Sequence, residues 1–337
     1  MLIKGLSTLQ KIEKIELSTN FPIGPVNVYV LFGEKLTLID TGLNRELAWK
    51  ELNNGLLKLG LNLNDIEQIV LTHHHNDHTA MIDWILEENP SIQVFAHQDT
   101  EMILKDEDYL EWSSQFFEKL FLEFGLTKEM AYKWAYRKGD RDRYDYLNVN
   151  RTLSDGDFVP GLPNWKVIET LGHSQDHISL YNEKEQLFIC GDNIIQGIHA
   201  GIFLDAPKRG KERSKPLLQY LDNLEKCRKL NVQLTFSGHG PNIENLNEAI
   251  DSQLGNIENR AQRVIRTLEK ANGVASGFEI IQEMYRGRYE NAVITFVFEI
   301  VAVLDLLQKR NVVVAEKANG VYQYRLVNYK TTSNKIV

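Results

Sequence analysis

Residues 72–78 read THHHNDH and hold four histidines and one aspartate within six residues, His73 to His78. Residues 68–72, just before them, have the apolar, β-branched pattern of a buried strand, and a helix is predicted over 78–88. Imidazole nitrogens bind zinc, iron and related divalent metals, and a carboxylate offsets the charge of such ions. Because a tight turn after a strand can aim alternate side chains into one cleft, this stretch predicts a metal site at a strand end.

Three more short motifs place a candidate ligand directly after a predicted strand. They are Gly172-His173, Gly191-Asp192 and Gly238-His239-Gly240. A glycine beside each ligand lets the backbone approach closely, which a crowded site requires. Together with residues 72–78, these motifs predict one site assembled from several strand ends.

The set of motifs resembles that of the metallo-β-lactamase superfamily. HHHNDH at 73–78 matches the H-x-H-x-D-H motif, and the segment 39–42, IDTG, with the three glycine-flanked ligands, matches the remaining motifs in order. The resemblance covers roughly residues 20–250. It implies an α+β fold, a four-layer αββα sandwich with a glyoxalase II-like core, and a site at one edge of the two sheets.

The resemblance also implies two divalent metal ions, with zinc expected first and iron or manganese as alternatives. Asp192 would bridge both ions, and both Asp77 and Asp192 are assigned catalytic as well as ligand roles. Asp40 would support the ligand loops through hydrogen bonds. The ligands carried over are His73, His75 and His173 for one metal, Asp77, His78 and His239 for the second, and Asp192 for both.

The other histidines lack motif support as ligands. His74 occupies the variable position of the motif and is expected to point away from the metals. His177 is interpreted as a structural neighbour of the ligands. Asp176 stands where the family commonly has glycine, so the loop there is expected to differ. His97 and His199 are expected to be ordinary core or surface residues.

Composition limits the partners and the compartment. The chain has 337 residues, a net charge of −8 and only two cysteines, Cys190 and Cys227, so a disulfide framework is excluded. The acidic charge disfavours anionic membranes and nucleic acid. The first residues lack the apolar core of a signal peptide, and no apolar run is long enough to span a membrane. A cytoplasmic protein is expected, with a homodimer left open.

Two domains are predicted, at 1–252 and 253–337. Within the first, a helical insert at about 100–150 carries eleven aromatics, which either pack as an extra layer on the sheet or also line a substrate pocket. The second shows three helical stretches, from 256, 276 and 291, followed by two short strands, which resembles a winged helix. Residues 257–337 hold 12 Lys and Arg against 8 Asp and Glu, so this tail is basic.

The predicted function is hydrolysis of a small-molecule ester, thioester or lactone by a metal-bridging hydroxide. A nucleophilic serine is not expected, since the chain has no G-x-S-x-G motif. The residues Asn193-Ile194-Ile195 lack the tyrosine that lactonases of this family usually carry after the bridging aspartate. The alternatives are an endoribonuclease or phosphodiesterase of the same fold, suggested by GHGP at 238–241 before the winged-helix-like tail, and an iron-dependent sulfur dioxygenase.

Overall fold

A computed structural model describes residues 11–136 and 144–327. Residues 137–143, in the last third of the predicted insert, and both chain ends lie outside the described residues. Two large sheets and one small sheet are present within the described parts. The ten helices there are α1 Glu46–Lys58, α2 Asn76–Thr79, α3 Ile82–Glu88, α4 Thr100–Lys105, α5 Glu107–Phe124, α6 Lys128–Ala135, α7 Pro216–Arg228, α8 Leu246–Lys270, α9 Gly277–Met284 and α10 Val293–Lys309.

The first large sheet follows chain order from β1 to β6. The first three strands pair antiparallel and the last four pair parallel. The hairpin predicted over 26–32 and 35–39 is confirmed, because these strands pair across turn residues at 33–35. The strands are β1 Ile12–Leu17, β2 Val26–Phe32, β3 Leu36–Ile39, β4 Gln68–Val70, β5 Gln93–His97 and β6 Val149–Leu153.

The second large sheet has the order β11-β10-β9-β8-β7. Its β10–β11 pair is parallel and its other pairs are antiparallel. Every residue of β9 and β10 is buried, as expected for strands covered on both faces. The strands are β7 Phe158–Val159, β8 Leu162–Glu169, β9 Ile178–Asn182, β10 Leu187–Gly191 and β11 Leu234–Ser237.

The two sheets pack face to face with helices on their outer faces. Tyr29 of β2 and Trp165 of β8 are among the largest fully buried side chains and lie in the apolar cluster between the sheets. Burial of each such side chain contributes roughly 2 kcal/mol to stability. Helices α1 and α3 cover the first sheet, and α7 covers the second. The predicted four-layer αββα sandwich is confirmed.

The helix predicted over 78–88 is interrupted. The structure has α2 and α3 instead, and α2 begins at Asn76, inside the histidine-rich stretch. The break occurs because the Met81 N–H donates to the carbonyl of Gly42, 3.0 Å away, rather than to the preceding helical turn. Two of the predicted ligands, Asp77 and His78, therefore lie on a single short helical turn.

The predicted insert is helical over its described part, comprising α4, α5 and α6. Its aromatics, however, pack chiefly on the C-terminal helices rather than on the sheet. The Phe117 ring lies 5.4 Å from that of Phe298 on α10, and Phe121 and Phe124 are buried in the same cluster. The expectation of a layer on the sheet is corrected, since α10 is the most apolar surface available to α5.

The C-terminal segment contains α8, α9, α10 and a small sheet of order β12-β14-β13. The helix predicted from 256 begins at Leu246, so it runs through the predicted boundary at 252–253. The strands are β12 Val274–Ser276, β13 Val313–Ala318 and β14 Val321–Leu326. None of the described helices combines the length and the apolar character needed to cross a bilayer.

Candidate metal centre

All seven predicted ligands converge at one edge of the sandwich, where β4, β8, β10 and β11 end. In one group, Nδ1 of His75 lies 3.0 Å from Nε2 of His73 and 2.9 Å from Nε2 of His173. Zinc–nitrogen bonds of 2.0–2.1 Å in tetrahedral geometry put neighbouring ligand atoms about 3.3 Å apart. This group of three histidines therefore has the spacing of ligands around one ion.

A second group contains Asp77, His78 and His239. Asp77 Oδ2 lies 3.3 Å from Nε2 of His239. Asp192 stands between the two groups: its Oδ1 is 3.4 Å from Nε2 of His78, and its Oδ2 is 3.5 Å from Nε2 of His239 and 3.7 Å from Nε2 of His173. The carboxylate of Asp192 thus faces both groups at once.

Hydrogen bonds fix the tautomers of four of these histidines. Nδ1 of His173 donates to the Gly201 carbonyl at 2.7 Å, and Nδ1 of His239 donates to the Pro25 carbonyl at 2.8 Å. Nδ1 of His78 donates to Asp40 Oδ2, and Nδ1 of His73 donates to the Thr72 hydroxyl. With Nδ1 protonated, each neutral ring presents the lone pair of Nε2 to the cluster, which is the form that binds a metal.

The cluster is unsatisfied by protein groups alone. Within the described residues, His78 Nε2, His239 Nε2 and Asp192 Oδ1 are buried without a hydrogen-bond partner. Buried polar atoms without partners are costly, and converging lone pairs repel one another. A divalent cation would satisfy all of them, so the donor set fits a metal ion.

The protonation balance of the cluster points the same way. Burial and neighbouring imidazoles lower the pKa of His73 and His75 well below the usual value. Burial alone would lower the pKa of His78 and of His239, but the nearby Asp192 carboxylate outweighs the effect of burial. The pKa of His78 is therefore raised well above its usual value, and that of His239 is raised to about 9. The carboxylates therefore stabilise positive charge in the cluster. Protons supply that charge until metal binding displaces them.

Asp40 supports the first ligand loop. Its carboxylate accepts from the Thr72 N–H at 2.7 Å, the Thr72 hydroxyl at 2.8 Å and Nδ1 of His78 at 2.8 Å. Its backbone φ is +61°, a conformation that few residues other than glycine, asparagine and aspartate adopt. The predicted supporting role of Asp40 is confirmed.

Close backbone approach is required at Gly238. A Cβ there would collide with the carboxylate of Asp192 and lie 2.9 Å from the ring of His78. The neighbouring loop is held by the first sheet, because the Asn27 N–H donates to the Gly238 carbonyl at 2.7 Å and the Tyr29 hydroxyl donates to that of Ser237 at 2.6 Å. The two sheets are therefore tied together directly beneath the cluster.

Comparison with known proteins gives the family. Residues 22–239 match the sequence model of the metallo-beta-lactamase superfamily. The chain belongs to the metallo-β-lactamase superfamily. A relative named "Probable metallo-hydrolase YqjP", of Bacillus subtilis (strain 168), is 31% identical over 94% of this chain and 98% of that protein. The chain is therefore a metal-dependent hydrolase.

Two further similarities are informative. The "Hydroxyacylglutathione hydrolase" of Francisella philomiragia is 25% identical over 51% of this chain and 50% of its own length. A crystal structure of a metallo-β-lactamase family protein of Thermus thermophilus matches with a TM-score of 0.74 and 24% identity, covering 94% of this chain and 98% of that chain. This last similarity shows the fold.

His74 points away from the cluster of the seven predicted ligands, as expected. Its Nδ1 lies 2.8 Å from Asp176 Oδ1, and its Nε2 lies 3.5 Å from Asp205 Oδ1. Burial alone would lower the pKa of His74, but the two carboxylates raise it to about 9. Asp176, at the position where the family commonly has glycine, also accepts from the hydroxyls of Ser174 and Thr100.

The remaining histidines have other partners. Nε2 of His177 accepts from the Asp192 N–H at 3.1 Å, and its Nδ1 contacts the Thr170 hydroxyl at 2.8 Å, so His177 supports a ligand without joining the cluster. His97 Nδ1 accepts from the Asp99 N–H. His199 Nδ1 is buried with no hydrogen-bond partner in the described parts of the chain.

The segment 196–215 lies along the cluster but was not among the predicted site residues. The Phe203 ring packs at 4.7 Å from that of His75 and 5.3 Å from that of His173, and Gly201 supplies the carbonyl that orients His173. The insert holds this segment, because the Tyr109 hydroxyl donates to the Ala206 carbonyl at 2.9 Å. The segment has no local motif, so only tertiary contacts reveal its position.

Proposed function

We propose that the protein binds two divalent metal ions at this centre and hydrolyses a small-molecule ester, thioester or lactone. The observation that carries the proposal is the Asp192 carboxylate, which lies within 3.7 Å of Nε2 atoms in both ligand groups, those of His78 and His239 in one and that of His173 in the other. One ion would be held by His73, His75 and His173, the other by Asp77, His78 and His239, with Asp192 shared. Zinc is the proposed metal, because histidine-rich sets with carboxylates suit it.

Bound divalent ions supply a water of pKa about 7 and stabilise negative charge that develops on a carbonyl oxygen. The chain itself holds the ligands in place: Asp40, Gly201 and Pro25 keep the Nδ1 protons of three histidines engaged and their Nε2 atoms free. Neither cysteine competes as a nucleophile, because burial raises the pKa of the Cys190 and Cys227 thiols to about 12.

A thioester is the member of this substrate class that the comparisons favour, through the relative named hydroxyacylglutathione hydrolase. Against a lactone, Asn193, Ile194 and Ile195 are buried behind Asp192, so no phenol is offered from that loop. The Phe203 ring beside His75 provides an apolar wall that suits an acyl group. The net charge of −8 disfavours RNA.

The C-terminal segment supports a winged-helix-like interpretation. Its elements follow in the order α8, β12, α9, α10, β13, β14, and the last two strands form a hairpin joined at Asn319-Gly320. We assign it a packing role, since its longest apolar helix, α10, is buried against α7 and α5. A glyoxalase II-like core, a cytoplasmic location and a homodimer remain parts of the proposal.

Metal analysis combined with a substrate panel tests the proposal. The purified chain is assayed for metal content, then against acyl-glutathione and acyl-CoA thioesters, aryl esters, lactones, phosphodiesters and short RNA. We expect close to two equivalents of zinc and turnover within the ester and thioester classes. The variant Asp192→Asn is expected to lose at least one equivalent of metal and at least about a thousandfold in kcat.

Asp222→Asn, an exposed position on α7, is the matched control and should keep both metal and turnover. Two metals with full activity in Asp192→Asn would exclude the bridging role. One equivalent of iron with persulfide oxidation would replace hydrolysis by the dioxygenase alternative, and RNA cleavage without esterase activity would replace it by the nuclease alternative.

A further inference from the structure

A cavity in the described part of the chain lies away from the metal centre. It has a volume of about 540 Å³ and is enclosed by α5, the chain at 213–215, α10 and the β13–β14 hairpin. None of the seven ligands lines it. This volume lies within the range of small-molecule binding pockets, and its position between the insert and the C-terminal segment is one where such pockets commonly form. A packing defect would be far smaller.

Aromatic rings form much of its wall. Trp112, Phe116 and Phe124 come from α5, and Tyr322 and Tyr324 come from β14. Trp112 and Phe116 are half-buried, so their rings are partly open to an occupant. Rings at this density favour a flat aromatic or an acyl body, because they offer large apolar contact at little cost in side-chain entropy.

The polar part of the wall carries a surplus of positive charge on an acidic protein. Arg213 is neutralised by Asp305, with two contacts of 2.8 Å. Glu123 is paired with Lys317 at 2.8 Å and lies 4.0 Å from Lys119. The charged lining residues are Lys119, Arg213 and Lys215 against Glu123 and Asp305.

Lys215 is the third cation in the cavity wall, and its ammonium has no ion-pair partner within 11–136 and 144–327. Because Glu123 is already engaged by Lys317, Lys119 has only a shared counter-ion at 4.0 Å, and Lys215 has none. An anionic group of a ligand would supply one. Such charge pairing is favourable where rings already exclude part of the water.

We propose that this cavity is a second binding site, which takes a small amphipathic organic anion. Its aromatic or acyl body would lie against Trp112 and Tyr324, and its carboxylate, sulfonate or phosphate group would lie at Lys119 and Lys215. The site is distinct from the proposed hydrolytic centre and does not depend on it.

The same site is connected to the metal centre through the segment 196–215. Trp112, in the cavity wall, donates from Nε1 to the Pro207 carbonyl at 2.6 Å, and Arg213 belongs to the segment itself. At the other end of the segment, Phe203 packs on His75 and the Gly201 carbonyl orients His173. An occupant that touches Trp112 and Arg213 therefore contacts the element that lines the hydrolytic site.

Anilinonaphthalene sulfonate, an aromatic monoanion, is a direct probe. We expect the full-length protein to bind one equivalent, detected as fluorescence enhancement in titrations. Ala315→Trp, which fills the cavity from β13, is expected to weaken binding at least about tenfold. Lys215→Glu is expected to weaken it several-fold without adding bulk, which covers the case in which Ala315→Trp folds poorly.

Lys50→Glu is the matched control, since it makes the same charge change at an exposed position of α1 and should leave binding unchanged. Asp192→Asn should also bind the probe normally, because the cavity contains no metal ligand. Binding that survives both cavity variants, that falls equally in Lys50→Glu, or that is abolished in Asp192→Asn would overturn the proposal.

Discussion

The carboxylate of Asp40 joins its own loop to Thr72 and to His78, a proposed metal ligand. It accepts from both the N–H and the hydroxyl of Thr72, and its Oδ2 also accepts from Nδ1–H of His78. The residue is buried, and its φ of +61° suits an aspartate or asparagine better than other side chains. Its effect on the metals is therefore indirect and acts through the orientation of His78.

Asp40→Asn isolates this effect, because asparagine tolerates the same backbone conformation. The charge that favours the protonated Nδ1 of His78 is lost, so we expect zinc affinity to fall about 10–100-fold, as for other carboxylate partners of metal-bound histidines. Competition against a chromophoric chelator measures the change. Asp65→Asn, on the surface, is the control; equal zinc affinity in Asp40→Asn and wild type would contradict the role of Asp40.

Asp176 makes the corresponding contribution on the far side of the ligand loop. It is fully buried and accepts from His74, Ser174 and Thr100. Burial opposes its ionisation, but the His74 charge and these hydrogen bonds hold its pKa below the usual value, while the pKa of His74 is raised to about 9. The pair is therefore ionic near neutrality.

Asp176→Asn leaves His74 without its closest counter-charge and is expected to lower the free energy of unfolding by about 3 kcal/mol at pH 7. A lowered carboxyl pKa stabilises above about pH 4 and is lost on acidification, and a raised imidazole pKa stabilises below about pH 6.5 and is lost as pH rises through about 9. Urea unfolding across pH should show the largest difference between pH 4 and 6.5. A constant difference from pH 5 to 10 would count against the ion pair.

At the scale of elements, the local sequence pattern predicts the strand ends next to which the candidate metal centre lies. The chain just after each of β4, β8, β10 and β11 carries a proposed ligand, and each junction is visible in the sequence as an apolar run followed by glycine or histidine. The start of α8 was missed although Asn245 caps it by accepting from the Glu248 N–H at 3.2 Å, a capping signal present in the sequence. The three-residue β12 was missed because it exists only through pairing with β14.

The segment 196–215 is the element that no sequence pattern identified, and the insert holds it in place. Tyr109→Phe removes the hydrogen bond to the Ala206 carbonyl, worth about 1 kcal/mol, while keeping the ring. Because the segment lines the cluster through Phe203, we expect KM for the best ester or thioester to rise about fivefold with metal content unchanged. Tyr132→Phe, an exposed tyrosine on α6, should behave as wild type. A loss of metal in Tyr109→Phe would assign the segment to ligand support instead.

At the scale of the whole molecule, one apolar core contains residues from both sides of the predicted domain boundary at residue 252. Leu217, Tyr220 and Leu224 of α7 lie in the same buried cluster as Ile300 and Leu304 of α10, and α5 of the insert joins them. The helix α8 also runs through the boundary. Charge asymmetry and element order suggested two domains, but neither feature reports whether their apolar faces pack together.

A shared core predicts a single cooperative unfolding transition for the whole chain. Ile300→Ala, at a fully buried position of α10, is expected to lower the free energy of unfolding by about 3 kcal/mol and to shift that entire transition in calorimetry. Val314→Ala, partly exposed on β13, should shift it little. If the C-terminal segment folds independently, Ile300→Ala will instead split the heat-capacity trace into two transitions, of which only one moves, and zinc will stabilise the other alone. Because the proposed zinc site is formed only in the folded centre, adding zinc should raise the midpoint of the single transition in wild type and in Ile300→Ala alike.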